Sequence, residues 1–162
     1  PYLTADPERC IQWKALFDTF KGRKIGIAWS GGLPSTGAKK RTIDIEDFEP
    51  LFNDDDTFIS LEYNEVRISD LEKYDIKSYP RATGKGGDID DLAALVSQLD
   101  LVVTACTTVV YVAGALGIPC IVLVPREPSY RYHDKGGFPW YNSVELVRQK
   151  NSWRETIEGI EC

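Results

Sequence analysis

Apolar residues recur along this chain in two rhythms. The runs KIGIAW (24–29), TFISLEY (57–63), DLVVTA (100–105) and PCIVLVP (119–125) are short and rich in β-branched residues. The second pair lacks the apolar–polar alternation of a half-exposed strand, as expected for parallel strands covered on both faces. Between the runs the apolar spacing becomes helical. In 88–99, Ile89, Leu92, Leu95, Val96 and Leu99 share one face behind a capping Asp88. In 6–20, Ile11, Trp13, Leu16, Phe17 and Phe20 follow an Asp6–Pro7 start, and Gly22 closes the segment. A third helix is expected over 106–117, ended by Gly117, and a short last one over 152–160. Weaker patterns suggest a short helix at 44–53, a helical turn within 65–74, a short strand at 77–80 and a final strand at 143–149. Segments 30–41, 81–87 and 126–142 read as loops, the last rich in aromatics. There are no internal repeats.

A β-α unit repeated about five times predicts an α/β, doubly wound, Rossmann-like three-layer sandwich on a mostly parallel sheet. Such sheets bind ligands at the carboxyl ends of their strands, where the strand order reverses. The loops to watch are therefore 30–42, 62–64, 81–88, 105–108 and 125–142.

Bulk properties narrow the field. The length, 162 residues, suits one domain, and 43% apolar with 27% charged residues supports a packed core. A net charge of −6 argues against a nucleic-acid partner, whose phosphates need clustered Lys and Arg. A small anion needs only a few local cations and backbone N–H groups. No apolar run reaches a transmembrane length, and no secretory signal is visible. The chain begins at Pro1 and contains no Met, so a piece of a longer protein is expected, with any second domain elsewhere. The four cysteines, Cys10, Cys106, Cys120 and Cys162, form no CxxC pair, and with one His they assemble no zinc spacing. Reduced thiols and a cytoplasmic setting are the expectation.

Three readings compete for SGGLPSTGAKKR (30–41). Gly32 and Gly37 have the Walker A gap, but Ala38 stands where the phosphate-binding Lys belongs. Ser30 to Ser35 resembles the SGGxDS loop of ATP-pyrophosphatase-type enzymes, with Pro34 in place of the acid and one N–H fewer. The loop can also be a glycine turn that admits a ligand beside Lys39, Lys40 or Arg41, or a plain surface loop. The dinucleotide GxGxxG fingerprint is absent. In TACTTVVYVAGALGIP (104–119), Cys106 sits at a strand-to-helix turn with Thr107 and Thr108 behind it. One Thr is explained by helix capping; two suggest hydroxyls and free N–H groups aimed at a phosphate. The lone His133 reads as a solvated loop residue. Tyr130, Tyr132, Phe138, Trp140 and Tyr141 are too many for an ordinary exposed loop and should wall a crevice or face a partner.

These segments together resemble the C-terminal half of heptosyltransferase-like (family 9-like) GT-B glycosyltransferases, of the kind found after tetratricopeptide repeats in bacterial proteins. The resemblance runs in order through KIGIAWSG (24–31), RTI (41–43), SLE (60–62, where the family has SLQ), LDLVVTACTTVVYVAGALGIP (99–119), YRY (130–132) and PWYNSVELVRQ (139–149). It implies one half of a GT-B fold that binds a nucleoside-diphosphate-sugar donor without a metal or other cofactor. It places Cys106, Thr107 and Thr108 at the phosphates, Gly31, Gly32 and Arg41 across from them, and Glu62 and Tyr63 near the nucleoside. An N-terminal acceptor-binding or repeat domain would supply the general base, so no catalytic residue is named. Tyr111 is placed in the same phosphate pocket, where the family has His; it can donate one hydrogen bond there but carries no positive charge. Cys106 replaces the commoner Asp. The alternatives are a degenerate, non-catalytic binding or scaffold module and an ATP-pyrophosphatase-like enzyme.

Overall fold

In the computed structural model, residues 1–31, 35, 37–132 and 136–161 are described. The strands are β1 (Lys24–Ala28), β2 (Thr57–Ser60), β3 (Ile76–Ser78), β4 (Leu101–Ala105), β5 (Cys120–Val124) and β6 (Val144–Arg148). The helices are α1 (Pro7–Phe17), α2 (Ala38–Arg41), α3 (Ile68–Lys73), α4 (Pro80–Thr83), α5 (Ile89–Val96), α6 (Val109–Leu116) and α7 (Trp153–Glu158), with 3₁₀ turns at Ile45–Leu51 and Tyr130–Tyr132. The strands form one sheet in the order β3-β2-β1-β4-β5-β6, and every neighbouring pair is parallel. The order reverses between β1 and β4, where Ile25 pairs with Leu101 and Ala28 with Thr104.

Alternate residues of each strand feed two cores, which is why the strand sequences show no polar face. Ile25, Ile27, Phe58, Val103, Ile121 and Leu123 meet Phe48 of the first 3₁₀ turn and Ile157 of α7. Ala28, Ile59, Val102, Val122 and Val124 meet Trp13 and Phe17 of α1, Leu92 to Val96 of α5, and Val109, Val110 and Ala113 of α6. Gly26 faces this second core, where an added Cβ would lie 2.6 Å from methyl carbons of Leu61 and Leu99.

Side-chain caps start three helices as their sequences suggest. Asp6 accepts from the Arg9 N–H, Asp88 from Asp90 and Ser152 from Glu155. Gly117, in the left-handed conformation at φ 76°, ends α6. A buried bond from Trp13 Nε1 to Asp91 at 2.8 Å locks α1 to α5.

Several expectations are corrected. The sheet is wholly rather than mostly parallel among the described residues. α1 ends at Phe17, well before Gly22, and its buried face is Trp13 and Phe17; Ile11 and Leu16 are exposed. Helix 44–53 is a 3₁₀ turn containing Pro50, whose missing N–H does not suit a longer α-helix. Pro80 starts α4 rather than ending a strand, so β3 is Ile76–Ser78. The loop 30–41 ends in α2. The helix expected from 106 begins at Val109, and Ile89, placed on the buried face of α5, is exposed.

Candidate functional site

The carboxyl ends of β1, β2 and β4 open into a crevice of about 510 Å³ at the point of strand reversal. All five loops expected to surround a ligand contribute to it. Ser30 and Arg41 come from the segment after β1, and Glu62 and Tyr63 from the end of β2. Thr83 ends α4, Gly84 and Gly87 come from the α4–α5 connection, Thr107 and Thr108 from the turn after β4, and Arg131 from the aromatic loop. Leu61, Ala82, Ile89 and Leu92 make one wall apolar.

Glu62 organises the floor. Its carboxylate is buried and accepts from the backbone N–H of Trp29 (2.5 Å) and of Ser30 (2.7 Å), and from the Ser30 hydroxyl. Burial pushes its pKa above the ordinary carboxyl value, and the three donors oppose that shift without cancelling it. Glu62 therefore fixes the turn leaving β1. The next residue, Gly31, is buried; an added Cβ would lie 2.7 Å from the Ala38 carbonyl oxygen and 2.9 Å from Arg41 Cβ. Glycine is needed there for the chain to fold back onto α2, which brings Arg41 over the crevice. Arg41 donates from Nη1 to the Cys106 carbonyl at 3.1 Å, linking the segment after β1 to the turn after β4. Of the neighbouring cations, Lys40 is committed to an exposed ion pair with Glu127 at 2.8 Å, and Lys39 is exposed.

Neither threonine caps α6 with its side chain. Thr108 occupies the cap position with no side-chain cap bond and is exposed. The Thr107 hydroxyl lies 3.1 Å from that of Thr104. The carbonyls of Thr107 and Thr108 accept the first bonds of the helix. Among the described residues, the N–H groups of Thr107, Thr108 and Val109 donate to nothing. The turn thus presents N–H groups and two hydroxyls at the positive end of the α6 dipole, with Arg41 and Arg131 also lining the crevice. That arrangement can hold a multiply charged anion.

Two expected site residues lie elsewhere. The Cys106 thiol is buried, 3.6 Å from the Leu123 carbonyl, and burial pushes its pKa up to about 12; only its carbonyl serves the crevice, through Arg41. Tyr111 lines a separate recess of about 450 Å³ with Tyr130, Arg131, Trp140 and Tyr141. Gly32 and His133 lie outside the described residues, as does Cys162; Cys10, Cys106 and Cys120 are free thiols. Among the described residues no group of three or more His, Cys, Asp or Glu side chains could hold a metal ion. Among the described residues, no helix is long and apolar enough to cross a membrane either.

The sequence assigns no ligand role to Thr83, Gly84 and Gly87, and names Ser30 only within the SGGxDS-like loop and Arg131 only within the YRY segment. All five fall within the segments that the carboxyl-end rule nominates.

No family model matches the chain. It is 26% identical over 167 residues to Protein FlbA of Caulobacter vibrioides, covering 98% of this chain and 28% of that protein. It superposes on the Escherichia coli ADP-heptose lipopolysaccharide heptosyltransferase II with a TM-score of 0.64 at 12% identity, over 99% of this chain and 49% of that one. The glycosyl transferase family 9 protein of Veillonella parvula gives 0.66 at 12% identity, over 91% and 42%. The chain has the fold of one half of a GT-B glycosyltransferase. The E. coli heptosyltransferase WaaC, solved with ADP-2-deoxy-2-fluoro heptose, agrees at 0.58 and 11% identity, over 98% and 48%. The chain spans less than half the length of these structures and little more than a quarter of FlbA.

The aromatic loop of this chain is anchored on α6. Tyr141 packs flat over Gly114, where an added Cβ would lie 2.3 Å from the ring, and its hydroxyl meets that of Tyr2 at 2.7 Å. Gly114→Ala should therefore displace Tyr141 and cost about 1–3 kcal/mol, more than the helix-propensity gain of about 1 kcal/mol returns. Thermal denaturation checks this; an unchanged or raised Tm would show that the ring has room to shift.

Proposed function

We propose that this chain is the donor-binding half of a GT-B glycosyltransferase. Its crevice holds the diphosphate of a nucleoside-diphosphate sugar while the sugar passes to an acceptor hydroxyl. The observation that carries the reading is the junction of Arg41 with the turn after β4. The guanidinium bonded to the Cys106 carbonyl adjoins the unpaired N–H groups of Thr107, Thr108 and Val109. In the transfer step these groups and Arg131 stabilise the negative charge that builds on the departing diphosphate. The apolar wall of Leu61, Ala82, Ile89 and Leu92, with Tyr63 at its edge, suits the nucleoside. WaaC, with its ADP-sugar analogue, supplies a precedent on the same fold. The acceptor site and the general base belong to another domain of the parent protein, and the diphosphate is held without a metal.

One observation favours a second reading. Cys106 keeps its thiol in the core and Tyr111 lies outside the crevice, so a binding module that has lost transfer activity is consistent with the same geometry. Glycosyl transfer by the full-length parent separates the two.

Thermal shift with ADP, UDP, GDP, ATP and NAD, with and without Mg²⁺, tests nucleotide binding itself. A ligand at 100 times its Kd adds about 2.7 kcal/mol. A metal-independent shift with one nucleoside diphosphate is expected; a shift only with ATP and Mg²⁺ would favour pyrophosphatase chemistry instead. Thr107→Val should weaken the diphosphate about tenfold or more, the loss of one hydrogen bond to a charged group, and should lower Tm without ligand by only a few degrees, for the lost bond to Thr104. Equal affinities in the two proteins would remove Thr107 from the site.

A further inference from the structure

A second recess lies beside α6. Its walls are Tyr111, Tyr130, Trp140 and Tyr141, and Arg131 lines both this recess and the crevice. Two of its aromatics stand in the open: Tyr130 is 79% and Trp140 53% exposed. They are nonetheless held in place. Trp140 sits edge-on against the buried Phe138 with ring centroids 5.0 Å apart. Arg131 lies over the Tyr130 ring at 5.5 Å and donates from Nε to its hydroxyl at 3.3 Å. Among the described residues, Arg131 forms no ion pair with a carboxylate.

We propose that this recess is a carbohydrate subsite, in which the aromatic faces of Trp140 and Tyr130 take a pyranose ring and Arg131 takes its hydroxyl edge. The inference rests on the donor-binding reading for the ligand's other end. A pyranose has apolar C–H faces and a polar rim. Aromatic rings match the first and a guanidinium the second, whereas a purely apolar partner would leave Arg131 desolvated and unmatched. The volume, about 450 Å³, exceeds what one hexose needs. Because Arg131 borders both spaces, a ligand whose diphosphate lies at Thr107 and Thr108 reaches the recess with its sugar while its nucleoside extends toward Tyr63. Trp140 is braced by the buried Phe138, so stacking on it costs less side-chain entropy than on an unsupported ring.

The test compares a bare nucleoside diphosphate with its nucleotide sugars by calorimetry, on this chain and on Trp140→Ala and Tyr130→Ala. Both side chains are exposed, and circular dichroism and Tm verify that the variants fold. The expected result is a loss of about tenfold in nucleotide-sugar affinity with the bare diphosphate unaffected, the scale of one aromatic stacking contact. Unchanged nucleotide-sugar affinity in both variants would overturn the proposal. So would equal losses for sugar and bare diphosphate, which would put the base in the recess. A second arm needs no nucleotide: saturation-transfer NMR with millimolar glucose, galactose, mannose, N-acetylglucosamine and glucuronic acid. If no nucleotide binds, the donor-binding reading has failed. The subsite then stands on a saturation-transfer signal that Trp140→Ala abolishes, and falls if no sugar gives one.

Discussion

Arg41→Ala should weaken nucleoside-diphosphate binding about thirty- to hundredfold, the largest functional effect expected of any single substitution in the crevice. The guanidinium lines the crevice and donates to the Cys106 carbonyl, so it both presents charge and fixes the turn that carries Thr107 and Thr108. A charge-assisted hydrogen bond is worth about 1.5–3 kcal/mol, and loosening the turn adds to its loss. Arg41→Lys separates the two contributions. The ammonium restores positive charge but cannot reach the carbonyl and the anion with one rigid fork, so an affinity between those of the parent and Ala is expected. Calorimetry at low and at 0.5 M salt provides the check. If Arg41→Ala binds as tightly as the parent chain, the anion does not sit at this junction.

Glu62 carries the second large effect, on stability. Glu62→Ala strands the buried N–H groups of Trp29 and Ser30 and should cost about 2–4 kcal/mol, or roughly 5–15 °C in Tm. Glu62→Gln should behave oppositely. Its amide oxygen accepts both N–H groups and its amide nitrogen donates to the Ser30 hydroxyl, the pattern a protonated Glu62 would have. Burial holds the Glu62 pKa above its ordinary value of 4.5, so the folded chain binds this proton more tightly than the unfolded one. Glu62 then lowers stability progressively as pH rises from about its unfolded pKa through its folded one. At pH 7 Glu62→Gln should equal or exceed the parent in denaturant stability, and the margin should shrink as pH falls toward 4. A Gln variant that is weaker at pH 7 and recovers nothing in acid would mean that the ionised carboxylate stabilises the turn.

The fold was legible because its strongest signals were local. Unbroken runs such as CIVLV, with helical spacing between them, already specify strands covered on both faces, and Asp6, Asp88 and Gly117 mark helix boundaries through their own backbone chemistry. The carboxyl-end rule then nominated the five loops that form the crevice. Side-chain direction at a turn was not legible. Cys106 and Thr107 are adjacent, yet one thiol enters the core while the neighbouring hydroxyl stays beside Thr104, a choice made by the close approach of β5. Tyr111 was misplaced for a similar reason: which face of α6 meets the crevice depends on Tyr141 and Phe138 packing against it. The spacing places Ile89 in the core, but at the first turn of α5 it is exposed and lines the crevice instead. Arg131 falls within the YRY segment of the resemblance, but its place at the crevice arises from the 3₁₀ turn that carries it.

The reversal of strand order also governs when the crevice comes into being. It lies between β1 and β4, whose contact joins residues far apart in the chain; the Lys24 N–H alone donates to Asp100, 76 residues on. Closing so long a loop is entropically slow, and its contacts are rewarded only once both strands are docked. An emerging polypeptide therefore has no anion site until β4 and the turn after it have left the ribosome, however well β1, β2 and β3 have already paired. A ligand that needs both sides of this seam has little to grip in the folding transition state if the seam closes late. It should then slow unfolding while leaving the refolding rate nearly unchanged.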